Sequence, residues 1–144
     1  MTQEITLSAD RRAVQELFHR LLEMLAQGQL ERWSDWFHED AVFEFPFSPA
    51  GYPQRLEGKA AIHEHAKRLP GLLEFTEVST PRIDFTLDPN VCIVRFECKG
   101  RAIASGKPYN QTYLCIVETR EGKITRYVDY WNPLILLEAM GESK

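Results

Sequence analysis

Alternating apolar and charged residues in the second half of the chain constrain its fold more than any other feature. Over residues 91–104 the apolar side chains fall on every second position, with charged side chains between them. The apolar set is Cys92, Val94, Phe96 and Cys98, and the charged set is Arg95, Glu97 and Lys99. Because successive side chains point to opposite faces of a strand, this pattern predicts a strand with one covered and one exposed face.

Further strands surround this one at short spacing. Residues 109–118 form the next predicted strand, and the chain turns at 120–122 into a last strand over 122–133. Residues 72–86 add one or two strands, interrupted at Pro81. Short connections between consecutive strands are typical of antiparallel neighbours, so the second half is predicted to be an antiparallel meander.

Helical patterns dominate the first half. A helix is predicted over residues 9–27, begun by Ser8 and ended by Gly28. Its apolar residues recur at spacings of three and four, and they are Val14, Leu17, Phe18, Leu21, Leu22 and Leu25. A short helix over 30–37, a strand over 41–45, a loop over 47–57 and a helix over 59–69 should follow, the last stopped by Pro70. Residues 133–140 are a predicted closing helix that starts at Pro133.

Helices that precede an antiparallel sheet indicate an α+β fold. The chain has 144 residues, of which 44% are hydrophobic, enough for one sizeable core. We therefore predict a single domain over residues 1–144, with the helices covering one face of the sheet.

Composition excludes several classes of partner. The net charge is -4 and no basic run occurs, so nucleic acid is not an expected partner. No apolar run is long enough to span a membrane, and the first residues lack the pattern of a signal peptide. Three cysteines without such a signal indicate a reducing, cytoplasmic location. His63 and His65 are two residues apart, which is not a metal-binding spacing on a helix, so neither a metal nor a cofactor is predicted.

The last predicted strand carries the candidate catalytic residue. Asp129 interrupts a run of strand-favouring residues and shares a face with Tyr127 and Trp131. If that face points inward, the carboxyl group lies among aromatic rings with little solvent around it. Burial raises the pKa of a carboxyl group and makes it a usable general base or acid. A solvent-exposed aspartate or a structural ion pair is the alternative.

The order of elements and several short motifs resemble the cone-shaped fold of nuclear transport factor 2-like proteins. This group includes ketosteroid isomerases, scytalone dehydratases, SnoaL-type polyketide cyclases and limonene-1,2-epoxide hydrolases. Residues 101–110 (Arg-Ala-Ile-Ala-Ser-Gly-Lys-Pro-Tyr-Asn), 121–125 (Glu-Gly-Lys-Ile-Thr) and 129–131 (Asp-Tyr-Trp) look like the epoxide hydrolases. Phenazine-biosynthesis A/B proteins are matched at 56–58 (Leu-Glu-Gly), 64–66 (Glu-His-Ala), 88–90 (Asp-Pro-Asn), 97–101 (Glu-Cys-Lys-Gly-Arg), 109–110 (Tyr-Asn) and 132–133 (Asn-Pro).

Comparison with the epoxide hydrolases leaves only one of their catalytic groups in place. The resemblance sets Asp129 at the position of their water-activating aspartate. Their Arg-x-Asp pair falls on Phe96 and Cys98, and their water-holding Tyr and Asn fall on Phe43 and Phe45. Without an acid for the epoxide oxygen or partners for the water, epoxide hydrolysis is disfavoured.

Comparison with the phenazine-biosynthesis proteins and with the ketosteroid isomerases likewise leaves only Asp129 at a catalytic position. In the phenazine proteins a glutamate on the last strand acts with a histidine as acid and base; these positions carry Asp129 and Ser79. The base of the ketosteroid isomerases corresponds to Phe45. Among the known acid and base positions, only that of Asp129 holds a carboxylate.

The resemblance also implies an apolar pocket and a dimer. The predicted ligand-binding residues are Phe43, Phe45, Phe96, Cys98, Tyr113, Tyr127 and Trp131. Cys98 is expected to be an inert buried thiol, and His65 is expected at the surface or at a helix cap rather than in the pocket. Arg95, Glu97 and Lys99 mark an exposed sheet face through which family members often pair, so a homodimer is expected. Residues 47–52 are a candidate lid or interface loop.

Three functions fit these features. The first is an enzyme without a cofactor that uses Asp129 for proton transfer on a largely apolar, carbonyl-bearing molecule, as an isomerase, cyclase, dehydratase or condensing enzyme. The second is a protein that binds a small apolar ligand without changing it. The third is a dimeric accessory protein of the same fold whose cone is filled by side chains.

Overall fold

The computed structural model describes residues 9–141, with side chains from Arg11 onward, and its strands form one sheet. The elements are α1 (Ala9–Gln27), a 3-10 turn (Trp33–Trp36), β1 (Phe37–Glu44), β2 (Arg55–Glu57), α2 (Lys59–Leu72), β3 (Leu73–Val78), β4 (Arg82–Phe85), β5 (Val91–Ala102), β6 (Gln111–Arg120), β7 (Lys123–Tyr130) and α3 (Pro133–Ala139). The predicted cap Ser8 lies outside the described residues.

The sheet has seven strands in the order β2-β1-β7-β6-β5-β3, and β4 also pairs with β5. Strands β5, β6 and β7 form the predicted antiparallel meander, and β1 pairs with β7 in parallel. Irregularities in the ladders bend the sheet, because an extra residue in one strand increases local twist. The α+β cone predicted from the sequence is confirmed.

One hydrophobic core fills the space between the inner face of the sheet and the helices. All six predicted apolar positions of α1 are buried, including Phe18 and Leu21 at 0% exposure. The inner set of β5 is also buried, whereas Arg95, Glu97 and Lys99 are exposed, as the alternation predicts. Helix α3 begins after Asn132, whose side chain accepts a hydrogen bond from the Leu134 amide.

Four predicted elements in the first half were wrong in their bounds, one of them the strand over 41–45, which runs over Phe37–Glu44 as β1. The predicted helix over 30–37 shortens to the 3-10 turn, because β1 already starts at Phe37, which pairs with Ile124 of β7. The predicted loop over 47–57 contains β2, since its main chain completes hydrogen bonds along β1. Helix α2 does not stop at Pro70 but continues to Leu72, and the Leu73 amide donates to the Leu69 carbonyl.

Candidate active site

A cavity of about 170 Å³ opens between the helices and the inner face of the sheet. Its walls come from distant parts of the chain, for example Leu25 of α1, Leu69 of α2, Phe96 of β5 and Leu136 of α3. An apolar cavity of about 150 Å³ accommodates benzene, so this one has room for a molecule of one ring or slightly more. No lysine or arginine is among the described residues that line it.

Asp129 lies in the wall of this cavity and is only 8% exposed. Cys115 is directly opposite on β6, and its thiol donates to the Asp129 Oδ1 atom over 3.3 Å. Burial raises the pKa of the Asp129 carboxyl to about 7, and the hydrogen bond from Cys115 opposes this increase. A thiol is a weak donor, so the carboxylate is poorly stabilised and holds its proton to near neutral pH.

A β-bulge in β7 decides that Asp129 points inward. The hairpin turn at Glu121 and Gly122, both with positive φ, pairs Arg120 with Lys123 and Thr119 with Ile124. If that register continued, Asp129 would lie opposite Leu114 on the outer face of the sheet. Instead the register shifts by one residue at Thr125, whose hydroxyl donates to the Glu118 carbonyl over 3.2 Å. The extra residue reverses the alternation and turns Asp129 inward.

Aromatic rings make up much of the wall next to Asp129. Phe43 stacks on Tyr127 with ring centroids 4.4 Å apart, and Phe45 lies 4.7 Å from Phe43. Trp131, at the other side of Phe45, is 6.2 Å from it. On the neighbouring strands, Phe96 and Tyr113 stack at 4.8 Å. These predicted ligand-binding residues all line the cavity.

Cys98 is the exception among the predicted lining residues. It is buried, but it does not reach the cavity, because its short side chain ends at the Tyr113 hydroxyl, with which it interacts. Burial raises the pKa of its thiol to about 11, so Cys98 stays protonated at neutral pH. This supports the expected inert thiol, and Cys98 is not among the residues that line the cavity, where it was expected to contact a ligand.

Two tyrosine hydroxyls and an amide form a polar cluster in the same wall. The hydroxyls of Tyr109 and Tyr113 are 2.9 Å apart, and the Gln111 side-chain amide donates to the Tyr109 oxygen over 3.4 Å. Gln111 is itself held by the Asn132 main chain, donating to its carbonyl and accepting from its amide. The mutual bond uses one of the two hydroxyl hydrogens. The other is left for the weak acceptor sulfur of Cys98 or for an oxygen atom of a ligand.

His65 lines the cavity from α2, which corrects the expectation that it lies at the surface or at a cap. Its ring is 5.3 Å from that of Phe45 and is half-buried. Burial and then the nearby Arg68 lower the pKa of the imidazole, so it is neutral at pH 7. Ser79, the position compared with the histidine of the phenazine proteins, is exposed, and its hydroxyl accepts a hydrogen bond from the Glu97 amide.

Sequence reasoning missed Tyr109, Gln111 and Cys115. Gln111 and Tyr109 continue the inner alternation that Tyr113 begins, so the period-two pattern was a signal that could have found them. Cys115 lies on the same alternation, but its contact with Asp129 depends on the bulge.

The part of the chain that the structure describes contains no group of three or more His, Cys, Asp and Glu side chains placed to hold a metal. Within residues 9–141, no helix has both the length and the apolar character needed to span a membrane.

Comparisons with known proteins agree with this fold. The SnoaL-like domain matches residues 18–127. The uncharacterized protein YesE of Bacillus subtilis is 40% identical over 128 residues, covering 89% of this chain and 87% of YesE. An uncharacterized PhzA/B-like protein of Pseudomonas aeruginosa is 38% identical over 128 residues, covering 88% of this chain and 89% of that protein. A crystal structure of a candidate isomerase from Bacillus subtilis has a TM-score of 0.90 at 38% identity, covering 94% of this chain and 98% of that one.

With its helices and curved sheet around an apolar cavity, the protein has a fold of the small-molecule isomerase and cyclase type. Within it, the chain belongs to the SnoaL-like family of the nuclear transport factor 2-like superfamily. The resemblance drawn from the sequence is thereby confirmed, including the likeness to phenazine-biosynthesis A/B proteins.

Proposed function

We propose that the protein is an enzyme without a cofactor that uses Asp129 to transfer a proton on an apolar, carbonyl-bearing substrate. The observation that carries this proposal is a buried carboxylate, with a pKa of about 7, in an apolar cavity without lysine or arginine. A carboxyl group in that state is partly ionised at neutral pH, and when ionised it is more basic than a solvated carboxylate. Such matching of pKa to working pH is what general acid-base catalysis requires.

The proposed step is removal of a proton from the carbon next to the substrate carbonyl. The Asp129 carboxylate takes the proton, the electron pair of the C–H bond forms a C=C bond, and the carbonyl π pair moves to oxygen. The remaining hydroxyl hydrogen of the Tyr109–Tyr113 pair donates to that oxygen as its charge grows. Where the substrate carries a C=C bond conjugated with the enolate, return of the proton to the far carbon of that bond shifts the double bond, which is an isomerisation. Attack of the enolate carbon on a second carbonyl is a cyclisation or condensation.

His65 is the second acid-base group in this proposal. It faces the same cavity as Asp129 from the helical side, and its depressed pKa keeps the imidazole neutral. A neutral imidazole can accept a proton at one nitrogen and donate one from the other. Asp129 and His65 can therefore serve two different atoms of one substrate. The similar B. subtilis protein, described as a candidate isomerase, supports proton transfer of this kind.

Epoxide hydrolysis is not supported by the site. Phe43, Phe45 and Phe96 fill three of the positions at which that chemistry needs polar groups, and all three line the cavity with aromatic rings. Water held for attack needs hydrogen-bond partners, which these side chains cannot supply.

Hydrogen exchange at carbon tests the proposal before the substrate is known. Cyclic and aromatic ketones in D₂O are incubated with the protein, and loss of the proton signal next to the carbonyl is followed by NMR. Wild type should accelerate exchange, and Asp129→Asn should reduce that acceleration about 10²- to 10⁴-fold. Glu44→Gln, a matched change on the other face of the neighbouring strand, should leave exchange unchanged. Equal exchange by wild type and Asp129→Asn would refute the proposal, and ligand binding without exchange would favour a binding protein.

We also propose that two copies pair through the outer face of the sheet. Ile93, Leu114, Ile116, Val128 and Tyr130 form an outer apolar patch, in which Leu114 is 43% exposed. Charges of both signs border it, so a second copy related by a two-fold axis can match acidic with basic groups. Light scattering should give a dimer for wild type and a monomer for Leu114→Glu. A monomeric wild type at micromolar concentration would exclude this arrangement.

A further inference from the structure

Ser48 is a buried polar residue in the cavity wall that makes no side-chain hydrogen bond. It lies in the loop between β1 and β2, lines the cavity and is 8% exposed. Of the buried side-chain nitrogen and oxygen atoms in residues 11–141, its Oγ is the one without a hydrogen-bond partner. Leaving a buried hydroxyl unsatisfied costs free energy, so such a group is expected to bond to water or to a ligand when the protein supplies no partner.

The loop that carries Ser48 is held in place by main-chain hydrogen bonds. The Ser48 amide donates to the Phe45 carbonyl over 3.1 Å, and the Phe45 amide donates to the Gln54 carbonyl over 2.9 Å. The Gln54 side chain donates to the Ser48 carbonyl over 3.4 Å. Phe47, the preceding residue, contacts Tyr130 outside the cavity at 5.3 Å. The main chain of Ser48 is thus fixed by its neighbours, while its hydroxyl has no partner in the cavity wall.

Ser48 and Asp129 are separated along the cavity wall by Phe45. The parallel register pairs Phe43 with Tyr127 and Glu44 with Val128, and its continuation sets Phe45 beside Asp129. Ser48 follows three residues later along the chain. The Ser48 amide bonds to the Phe45 carbonyl, and Ser48, Phe45 and Asp129 all line the cavity, so a ligand with its ring against Phe45 lies next to both polar residues.

We propose that Ser48 binds the substrate directly, by a hydrogen bond to a second, uncharged oxygen group on the far side of the ring from the reacting carbonyl. This inference rests on the proposed function and adds the substrate class to it. The ligand is then a neutral ketone of about one ring that carries a hydroxyl, carbonyl or ether oxygen as well.

Charge excludes the acidic counterparts of such a molecule. No lysine or arginine is among the described residues of the cavity wall, and the imidazole of His65 is neutral. A carboxylate would lose its hydration in this cavity without gaining a cation, and it would also be repelled by ionised Asp129. Neutral oxygen groups need only hydrogen bonds, which Ser48 can supply as donor or acceptor.

Calorimetric titration with matched ketones tests this inference. The probes are acetophenone, its three hydroxy derivatives, and 4-acetylbenzoate as the anion. Wild type should bind the best hydroxy ketone about 3- to 10-fold more tightly than acetophenone, which corresponds to one net hydrogen bond. Ser48→Ala should remove that difference and leave acetophenone binding unchanged, while Ser48→Thr, which keeps a hydroxyl, should retain most of it. The anion should bind at least about 10-fold more weakly than either.

Each alternative result has a separate meaning. If Ser48→Ala weakens both ketones equally, or lowers the melting temperature as a lost structural hydrogen bond would, Ser48 has no direct role in binding. If 4-acetylbenzoate binds as tightly as the neutral ketones, the assignment to uncharged substrates fails. Binding preferences as expected without hydrogen exchange at carbon would support Ser48 and overturn the proposed enzyme. No binding of any ketone to wild type would overturn both.

Discussion

Two carboxylates on neighbouring strands meet opposite environments in this protein. Glu44 of β1 lies on the outer face of the sheet, and Asp129 of β7 lies on the inner face, one residue beyond the register partner of Glu44. Glu44 Oε1 accepts from Arg126 at 3.0 and 2.7 Å, and Oε2 accepts from Arg55 at 2.6 Å. Asp129 has a thiol and aromatic rings as neighbours.

This difference in surroundings separates a carboxylate that serves the structure from one that is suited to proton transfer. Two guanidinium groups bind both oxygens of Glu44 on the outer face of the sheet, away from the cavity, so this carboxylate serves the structure. Burial without a cation leaves Asp129 with a charge that is costly to carry, which is the origin of its basicity. Both residues are acidic and both lie in strands, so only the surroundings distinguish their roles.

Asp129→Asn should stabilise the protein above neutral pH, and this is the largest expected difference between the two sites. The pKa of Asp129 is 3.8 in a solvated chain and about 7 in the folded protein. Between these values the folded protein holds a proton that the unfolded chain has released. The free energy of unfolding therefore falls as pH rises from about 4 to about 7 and then stays level. Asparagine has no charge to bury, so the variant should be more stable by on the order of 4 kcal/mol at about pH 8.

Urea denaturation at about pH 5 and about pH 8 measures this effect. At the lower pH the folded wild type is protonated but its unfolded chain is not, so the advantage of Asp129→Asn should fall to on the order of 2 kcal/mol. Glu44→Gln is the control, because it should show no such gain at the higher pH. A difference between Asp129→Asn and wild type that is the same at both pH values would mean that Asp129 does not carry a proton to neutral pH.

Glu44→Gln should have a smaller effect of the opposite sign. Its side chain is 19% exposed, but the arginine partners are about half-exposed, at 50% and 51%, so water screens much of the interaction. We expect a loss of about 1 kcal/mol in the free energy of unfolding, decreasing as salt is added. Denaturation at low and high salt checks this. A loss that does not depend on salt would point to packing rather than to charge.

Cys115→Ser should have the smallest of these effects, a lower pKa of the Asp129 carboxyl group. A hydroxyl is a stronger donor than a thiol, so it should stabilise the carboxylate and lower its pKa by less than about one unit. Cys115→Ala removes the donor and should raise the pKa. Infrared titration of the carboxyl C=O stretch, with Asp129→Asn as the blank, separates these shifts. Identical midpoints in both variants and wild type would show that the contact with Cys115 has no electrostatic effect.

Sequence patterns predicted the parts of the fold that depend on local periodicity. The inner residues of β5 and the buried stripe of α1 follow from periods of two and 3.6 residues, which no tertiary contact is needed to define. The same alternation placed Tyr127, Asp129 and Trp131 on one face. Alternation also placed Tyr113 of β6 and Cys98 of β5 on the inner face of the sheet. Of these two residues, Tyr113 lines the cavity, whereas the side chain of Cys98 is too short to reach it.

Other features depend on contacts between distant residues. His65 reaches the cavity because α2 packs across β1, and its ring then meets Phe45. Helix α2 continues past Pro70 to Leu72, directly before β3 begins at Leu73. Neither fact has a counterpart in local spacing. The unpartnered hydroxyl of Ser48 is likewise visible only when the whole cavity wall is assembled.

Asp129 illustrates the division between the two sources of information. By itself, the sequence determined that a carboxylate lies in the last strand among aromatic residues, because strand propensity and alternation are local properties. It did not determine which way that face points, since a regular hairpin from the turn at Glu121 would direct Asp129 to solvent. The bulge at Thr125 turns it inward, and the pairing of β7 with both β6 and β1 maintains that register. A one-residue shift exchanges the two faces of a strand, so only the tertiary structure decided that this carboxylate is buried.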